Sequence, residues 1–227
     1  HGGGPQITDY LTKVGIKSDF ADGMRITDPE SIHVIEMVLG GLVNKDLVKT
    51  ITALGGKAVG LSGKDGGLIR AKKVIGKGEF KNIDFKNTGT VQSIDPEVVR
   101  LLDGSSFIPV IAPIGIGDDG KTYNINADIV AGKIAHILQA SKYLILTDTQ
   151  GILDADDKLI QSINAEGVRS LISRGVISKG MLPKVNSALE AVSSGVEHVQ
   201  IINGTFDHSV LLELFTDEGI GTMIRRK

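Results

Sequence analysis

The sequence IGIGDDGKTYNINADIVAGKIAHILQA, residues 114–140, joins a predicted strand to a predicted helix. The apolar run over residues 107–114 predicts a buried strand, and we expect the helix to begin near Ala127. Between them, residues 123–128 (YNINAD) place two amides and a carboxylate at the strand-to-helix junction. Ligands of open α/β sheets bind outside the carboxyl ends of the strands. We therefore expect the active site at this junction.

Residues 115–122, GIGDDGKT, also match the phosphate-loop pattern GxxxxGK[ST]. A phosphate loop aims backbone N–H groups and a lysine at an anion, whereas Asp118 and Asp119 would place two negative charges beside it. A helix should also follow at once, but residues 122–125 have an extended pattern. The alternative is a β-turn in which Gly120 supplies a positive φ. The sequence favours the turn.

The composition excludes several classes of protein. The 227 residues are 41% hydrophobic with a formal net charge of -2, which suits one large domain or two small lobes and does not indicate a nucleic-acid surface. There is no cysteine, which excludes disulfides and thiolate chemistry. No apolar run approaches ~18 residues, the length that a membrane helix needs. We expect a soluble, cytoplasmic enzyme.

Strand and helix signals alternate along the chain, which predicts right-handed βαβ units and an α/β fold with a mainly parallel sheet. The sequence Asp28-Pro29-Glu30 is a strong helix start, and that helix should run to about Leu54. Gly40 and Gly41 interrupt it. Close packing against another helix, in the same chain or in a dimer, is the expected reason. The five histidines show no metal spacing, so we predict no metal site made by the protein.

Glycines and an arginine near the start of the chain could bind anions. Gly2–Gly4 can bring backbone N–H groups close to a ligand, before a helix that starts at Pro5. An esterase oxyanion hole is excluded, because no GxSxG nucleophile motif follows. Arg25 suits bidentate carboxylate binding, and the equal alternative is a surface arginine paired with Asp22 or Asp28.

The second half of the chain contains two candidate nucleotide sites. Residues 148–154 carry hydroxyl, carboxylate and glycine groups after the strand predicted over residues 142–147. Lys184 precedes a helix expected over residues 185–194. A cation is unfavourable at a helix N-terminus unless an anion is present, so Lys184 is a candidate phosphate ligand, with a solvated lysine as the alternative.

Six segments in a fixed order match a known family, and together they span nearly the whole chain. The chain resembles the acetylglutamate kinases of the amino-acid kinase family. The resemblance implies a three-layer α/β sandwich with a mainly parallel open sheet whose first strand is absent here. The matching segments are HGGGPQI (1–7), DGMRIT (22–27), YNINAD (123–128), LTDTQGIL (146–153), GMLPKVNSAL (180–189) and LLELFTDEGIGTMI (211–224).

The resemblance implies transfer of the γ-phosphoryl group of ATP, with Mg²⁺ held mainly by its phosphates, to the side-chain carboxylate of N-acetyl-L-glutamate in arginine biosynthesis. Residues 1–117 would bind the acyl amino acid and residues 118–227 would bind ATP. Asp128 would organise the catalytic lysines, and Lys184 would bridge the ATP phosphates. The implied substrate ligands are Gly3, Gly4, Arg25, Asn124 and Asn126. The implied nucleotide ligands are Asp148, Thr149, Gln150, Gly151, Ile152, Leu153, Val176, Ile177 and Ser178.

Two regions bear on activity and regulation. The family's KxGG lysine has no match in this chain, and one lost preorganised donor typically costs about 10²–10³ in rate. We therefore expect a longer natural protein and an inactive 227-residue chain. The tail resembles that of arginine-inhibited members, so His208 and Glu218 are candidate contacts to L-arginine. A homo-oligomer is expected, a dimer or, if arginine acts, a hexamer.

Three other functions stay open at this stage. A related carboxylate kinase could act on N-acetyl-aminoadipate or a carrier-linked analogue. A non-catalytic module could keep the substrate and arginine sites, an alternative that the missing lysine favours. A phosphate-loop NTPase is the third alternative.

Overall fold

A computed structural model of the chain describes residues 1–177, 180–216 and 219–226. The chain forms two compact units, residues 1–131 and 132–227. Each unit combines helices with strands that include parallel pairs, which confirms the α/β prediction. The division into ligand-binding lobes at residues 117 and 118 concerns function and stays a prediction.

The first unit begins with helix α1 and a short hairpin, followed by a long helical segment and a set of strands. Its helices are α1 (Gly4–Lys13), α2 (Ser31–Glu36), α3 (Asn44–Ala53) and α4 (Glu97–Gly104). Its strands are β1 (Asp19–Ala21), β2 (Met24–Ile26), β3 (Ala58–Ser62), β4 (Ile69–Ile75), β5 (Asp84–Ile94), β6 (Ile108–Ala112), β7 (Ile114–Gly117) and β8 (Thr122–Ile125). The β1–β2 hairpin was not predicted.

The long helical segment starts where the sequence predicts. The Asp28 side chain accepts hydrogen bonds from the backbone N–H groups of Glu30, at 3.0 Å, and Ser31, at 2.7 Å. These bonds satisfy N–H groups that a helix start leaves without partners. The segment ends at Ala53, and Gly55 follows with a φ of +91°. Both helix boundaries of the prediction are therefore confirmed to within a few residues.

The two glycines inside this segment lie in a π-helical stretch, Met37–Val43, between α2 and α3. A Cβ atom added to Gly40 or Gly41 would meet no heavy atom within 4 Å. Close packing against another helix of the described chain is therefore wrong as an explanation for them.

Pro113 divides what the sequence predicts as a single strand over residues 107–114. Strand β6 pairs with β3 in a parallel two-stranded sheet, whereas β7 pairs with β4 and β8. Proline has no N–H to donate to a strand ladder, so the chain can change sheets at this residue. The single-strand prediction was wrong because periodicity does not reveal a change of partner.

Strands β7 and β8 form an antiparallel hairpin, in which Ile116 pairs with Thr122. Gly120 lies in the connecting turn with a φ of +74°. The amine of Lys121 lies 3.4 Å from the Asp119 carboxylate. A strand therefore follows this segment and its lysine is already paired, which confirms the β-turn and excludes the phosphate loop.

Four strands close into a barrel in the order β4-β5-β8-β7. The β4–β5 and β7–β8 pairs are antiparallel, and the β4–β7 and β5–β8 pairs are parallel. Helix α1, the long helical segment and the β6–β7 region share one apolar cluster. Its buried members are Ile7, Leu11, Ile35, Val38, Leu39, Ala112 and Ile114.

Helix α5 (Ala127–Ile137) leads into the second unit, whose sheet has the order β10-β12-β11-β9. The β9–β11 and β10–β12 pairs are parallel, and β11–β12 is antiparallel. The strands are β9 (Lys142–Thr147), β10 (Ser162–Asn164), β11 (His198–Asn203) and β12 (Thr222–Arg225), and the helices are α6 (Ala165–Ser173), α7 (Met181–Ser193) and α8 (Ser209–Phe215).

Helix α7 begins at Met181, earlier than the predicted start at residue 185. Pro183 lies in its first turn, where the missing N–H would have had no helical partner in any case. The prediction placed Pro183 in the loop before the helix, whereas the residue lies inside the helix. The predicted start was wrong for that reason.

Gly89 lets the two halves of the barrel approach each other. It pairs with Ile125 across β5 and β8, and an added Cβ would lie 2.6 Å from Cβ of Tyr123. We expect Gly89→Ala to lower the free energy of unfolding by about 1–3 kcal/mol, because neither strand can move aside freely. The matched control is Gly104→Ala, where an added Cβ meets no heavy atom within 4 Å. Urea unfolding measures both, and equal midpoints for the two variants would contradict this packing.

Candidate functional site

The glycine-rich start of the first unit lies beside the strand-to-helix junction. A Cβ atom added to Gly2 would be 3.9 Å from Cβ of Ala127, the first residue of α5. Gly3 caps α1, and its added Cβ would lie 2.7 Å from Cδ2 of Leu39. Gly4 begins the helix and has open space around its Cα. Glycine at position 3 thus allows α1 to start close against the π-helical stretch, with backbone N–H groups at its first turn.

Arg25 is the buried cation of this unit. The residue is 8% exposed. Its guanidinium donates hydrogen bonds to the Ser18 hydroxyl, to the Thr8 hydroxyl at 2.9 Å and to the Gly4 carbonyl at 3.3 Å. It also lies over the Phe20 ring, 4.6 Å from the centroid. These contacts fix the guanidinium against the first turn of α1.

No carboxylate within the described residues forms an ion pair with Arg25. Burial lowers the pKa of its guanidinium, yet the group stays charged because arginine does not lose its proton at physiological pH. The predicted alternative, a surface arginine paired with Asp22 or Asp28, is therefore wrong. A buried charge without a counter-ion is costly, so an anionic ligand would be favourable here.

The amide of Asn124 extends from β8 towards β2. Its Nδ2 donates to the Thr27 hydroxyl at 3.1 Å, and its carbonyl oxygen makes no hydrogen bond to any described residue. Asn126 has a different role, because its Oδ1 accepts from the N–H groups of Asp128, at 2.8 Å, and Ile129, at 3.3 Å. Asn126 therefore caps helix α5, and this use of its oxygen leaves only the NH₂ group for a ligand.

Asp128 is half-buried in the first turn of α5. Gly2–Gly4, Arg25, Asn124 and the α5 N-terminus all belong to the first unit.

In the second unit, the loop after β9 exposes three polar side chains, those of Asp148, Thr149 and Gln150. Ile152 is 1% exposed, and its N–H donates to the Thr222 hydroxyl at 2.8 Å. The side chain of Ile152 therefore anchors the loop in the core, and its predicted contact with a nucleotide stays a prediction.

Gly151 allows this loop to pass close to strand β12. Its φ is +150°, and an added Cβ would lie 2.6 Å from Oγ1 of Thr222 and 2.9 Å from Cδ1 of Leu159. Leu153 forms an isolated bridge with Leu159. Glycine is thus required at position 151 for the path of the loop.

The remaining nucleotide candidates lie before and within α7. Val176 is half-buried and Ile177 is buried, whereas the prediction at Ser178 lies outside the described residues. Lys184 is half-buried in the first turn of α7, where none of the described residues is acidic. Its position near the positive end of the helix dipole is the one that the sequence predicts for a phosphate ligand.

The two candidate contacts to L-arginine are His208 and Glu218. His208 is exposed with a φ of +59° just before α8, and Glu218 lies outside the described residues. The segment before β12 is held by Glu213, a residue that was not predicted from the sequence. Glu213 is 7% exposed, and its Oε2 accepts from the N–H groups of Ile220, at 2.7 Å, and Gly221, at 3.1 Å.

Two buried threonines of the first unit, Thr27 and Thr88, were also missed. They connect Arg25 to Asn124 through hydrogen bonds. Threonine is common on strands for its shape alone, so the sequence gives no signal that these hydroxyls have a structural role. Only the contacts reveal it.

A separate cleft of about 700 Å³ opens in the first unit. None of the predicted site residues lines it. Tyr123 lines it, and burial, with the nearby Asp119 carboxylate, raises the pKa of its hydroxyl. The other lining residues are Pro29, Ile32, His33, Lys73, Asp84, Lys86, Asn87, Gly120, Lys121 and Thr122.

Within the described ranges, no group of three or more His, Asp or Glu side chains is placed to hold a metal ion. Across the same ranges, no helix combines the length and the apolar character needed to cross a membrane.

The chain was compared with protein families and with known proteins. The family model described as "Amino acid kinase family" matches residues 1–203. The protein named "Acetylglutamate kinase" from Halorhodospira halophila is 54% identical over 233 residues, which cover 100% of this chain and 78% of that protein.

Two solved structures of N-acetylglutamate synthase from Neisseria gonorrhoeae are also similar. The structure with coenzyme A and N-acetyl-glutamate has a TM-score of 0.88 at 27% identity and covers 100% of this chain and 51% of that one. The structure with coenzyme A and L-arginine has a TM-score of 0.82 at 25% identity and covers 100% of this chain and 53% of that one.

Proposed function

This chain belongs to the amino acid kinase family and is a phosphotransferase, and we propose that its reaction is the ATP-dependent phosphorylation of N-acetyl-L-glutamate in arginine biosynthesis. The product is the acyl phosphate N-acetyl-L-glutamyl 5-phosphate. The observation that carries this proposal is the 54% identity to an acetylglutamate kinase over the whole chain.

The first unit supplies groups suited to the acyl amino acid. Arg25 offers a buried, fixed positive charge without a carboxylate partner among the described residues, which suits the α-carboxylate. Asn124 offers an unused amide oxygen that can accept a hydrogen bond from the substrate amide. The N–H groups of Gly3 and Gly4 suit the reacting carboxylate, because no Cβ blocks their approach.

The second unit supplies groups suited to ATP. The exposed side chains of Asp148, Thr149 and Gln150 can hydrogen-bond a base or ribose, and Val176 adds apolar surface. Lys184, at the positive end of α7, suits the phosphates. These residue types fit a nucleotide. Mg²⁺, bound mainly by the phosphates, would neutralise their charge.

Phosphoryl transfer needs positioning and charge stabilisation more than it needs covalent chemistry by the protein. Arg25 and Asn124 orient the substrate so that a side-chain carboxylate oxygen attacks the γ-phosphorus, and the bond to the ADP oxygen breaks. Lys184 stabilises the negative charge on the transferring phosphoryl group. Asp128, in the first turn of α5, would orient the catalytic lysines.

A substrate panel tests the reaction. We expect the full-length protein to release ADP from ATP only when N-acetyl-L-glutamate is added. The kcat/KM for N-acetyl-aminoadipate should be about 10–200-fold lower, because one extra methylene changes binding by ~1–3 kcal/mol. Equal or higher activity with the longer substrate would overturn the proposed substrate. Ligand binding without ADP release would support the non-catalytic module.

Two lysine variants test the nucleotide site. We expect Lys184→Ala to lower kcat by about 10²–10³-fold, because it removes a preorganised charge from the transferring phosphoryl group. Lys121→Ala removes the lysine of the apparent phosphate loop, which is exposed and paired with Asp119. Its kcat and its KM for ATP should stay within about 2-fold of the unsubstituted enzyme. A large loss of kcat in Lys121→Ala, with little change in Lys184→Ala, would contradict these assignments.

Feedback inhibition by L-arginine is the regulatory part of the proposal, together with assembly into a homo-oligomer. It is supported by the resemblance of the tail and by the similar fold of a synthase solved with L-arginine. We expect saturating L-arginine to raise the KM for N-acetyl-L-glutamate or to lower kcat in the full-length enzyme. His208→Ala should weaken that inhibition without changing the uninhibited rate, and an arginine-independent rate would refute the proposal.

A further inference from the structure

We infer that Thr27 and Thr88 are positioning residues, which hold Arg25 and Asn124 in register through one buried hydrogen-bond relay. This inference rests on the proposed function, because it assigns both threonines to the binding of the acyl amino acid. Neither threonine belongs to the groups that would touch the substrate. They act through the arginine and the asparagine.

The relay runs from β2 to β5 and β8. The Thr88 hydroxyl donates to the Arg25 carbonyl at 2.5 Å and accepts from the Thr27 N–H at 3.1 Å. The Thr27 hydroxyl lies 3.4 Å from the same Arg25 carbonyl and accepts from Nδ2 of Asn124 at 3.1 Å. Two hydroxyl groups thus connect the backbone of the arginine with the side chain of the asparagine.

Each hydroxyl in this relay is used as both donor and acceptor. A threonine hydroxyl has one hydrogen to donate and lone pairs that accept, so the direction of each bond is fixed by its neighbours. The Arg25 carbonyl can only accept, and the N–H of Thr27 and the NH₂ of Asn124 can only donate. The relay therefore has one consistent arrangement of hydrogens, which favours one orientation of the Asn124 amide.

Burial excludes water as a replacement. Thr27 is 0% exposed and Thr88 is 4% exposed. Removal of the Thr88 hydroxyl would leave the buried N–H of Thr27 without an acceptor, which is costlier than the loss of an ordinary hydrogen bond. Removal of the Thr27 hydroxyl would take away the acceptor of the half-buried Asn124 NH₂ group. Valine has nearly the shape of threonine and would fill the same space, so packing alone does not require hydroxyl groups at these positions.

The relay also connects β5 with β8, which form a parallel pair of the barrel. Thr88 on β5 pairs directly with Asn124 on β8, and β2 contributes Arg25 with its guanidinium against α1. The distance between the Arg25 backbone and the Asn124 amide is therefore set by three strands. We expect that distance to determine how well both ends of one small carboxylate ligand are bound.

The test compares Thr27→Val with Thr27→Ser in the full-length enzyme. We expect Thr27→Val to raise the KM and the calorimetric Kd for N-acetyl-L-glutamate by about 10-fold, equivalent to ~1.4 kcal/mol. The KM for ATP should stay within about 2-fold. Thr27→Ser keeps the hydroxyl and should restore the KM for N-acetyl-L-glutamate to within about 2-fold of the unsubstituted value.

A double-mutant cycle separates positioning from general destabilisation. If Thr27 acts through the amide, Thr27→Val should have no more than about a 2-fold effect on Kd once Asn124→Ala is present. The matched control is Ser31→Ala, which removes another buried hydroxyl of this unit. It should lower the melting temperature without changing the Kd.

Three outcomes would overturn the inference. They are an unchanged Kd in Thr27→Val, failure of Thr27→Ser to restore the Kd, and equal effects of Thr27→Val with and without Asn124. If Thr27→Val does not fold, Thr88→Val is measured in the same way with Thr88→Ser. Failure of the unsubstituted protein to bind N-acetyl-L-glutamate would instead refute the proposed function, which keeps the two results distinct.

Discussion

A buried positive charge constrains the first unit more than any other feature. The Arg25 guanidinium is almost fully removed from water and has neutral hydrogen-bond acceptors as its described partners. Such a group is held at a free-energy cost, and the surrounding strands and helix must be rigid enough to keep it there. The cost falls when an anion arrives. The unliganded fold thus holds a positive charge that has no counter-ion among the described residues. This charge is a physical reason for such a site to select a carboxylate.

The residues around that charge explain why the unit contains several unusual local features. Gly3 brings the start of α1 against the long helical segment, and the Gly4 carbonyl then accepts from the arginine. Pro113 moves the chain from the β3–β6 sheet into the barrel, so that β7 can hold β8. Together these features place one arginine, one asparagine and one helix start in the same unit.

The parts of the fold that sequence could predict are those decided by neighbours in the chain. Asp28 caps a helix because its carboxylate reaches N–H groups two and three residues ahead, and Gly120 makes a turn because glycine tolerates positive φ. The change of partner at Pro113 depends on which strands lie alongside, which periodicity does not encode. For the candidate site, Arg25 and Asn124 were predicted from local residue patterns and from the motif resemblance. Thr27, Thr88 and Glu213 were not, because their roles depend on contacts with residues distant in the chain.

The mixed pairing of the barrel has a consequence for how the protein folds. Strands β4 and β5 form a hairpin from neighbouring sequence, and so do β7 and β8, so both can form early at a low entropic cost of loop closure. The parallel contacts β4–β7 and β5–β8 join residues far apart in the chain and must form later. Thr88 lies on one hairpin and Asn124 on the other. The hydrogen-bond relay between these strands therefore does not exist in either hairpin alone and is created in the step that docks them.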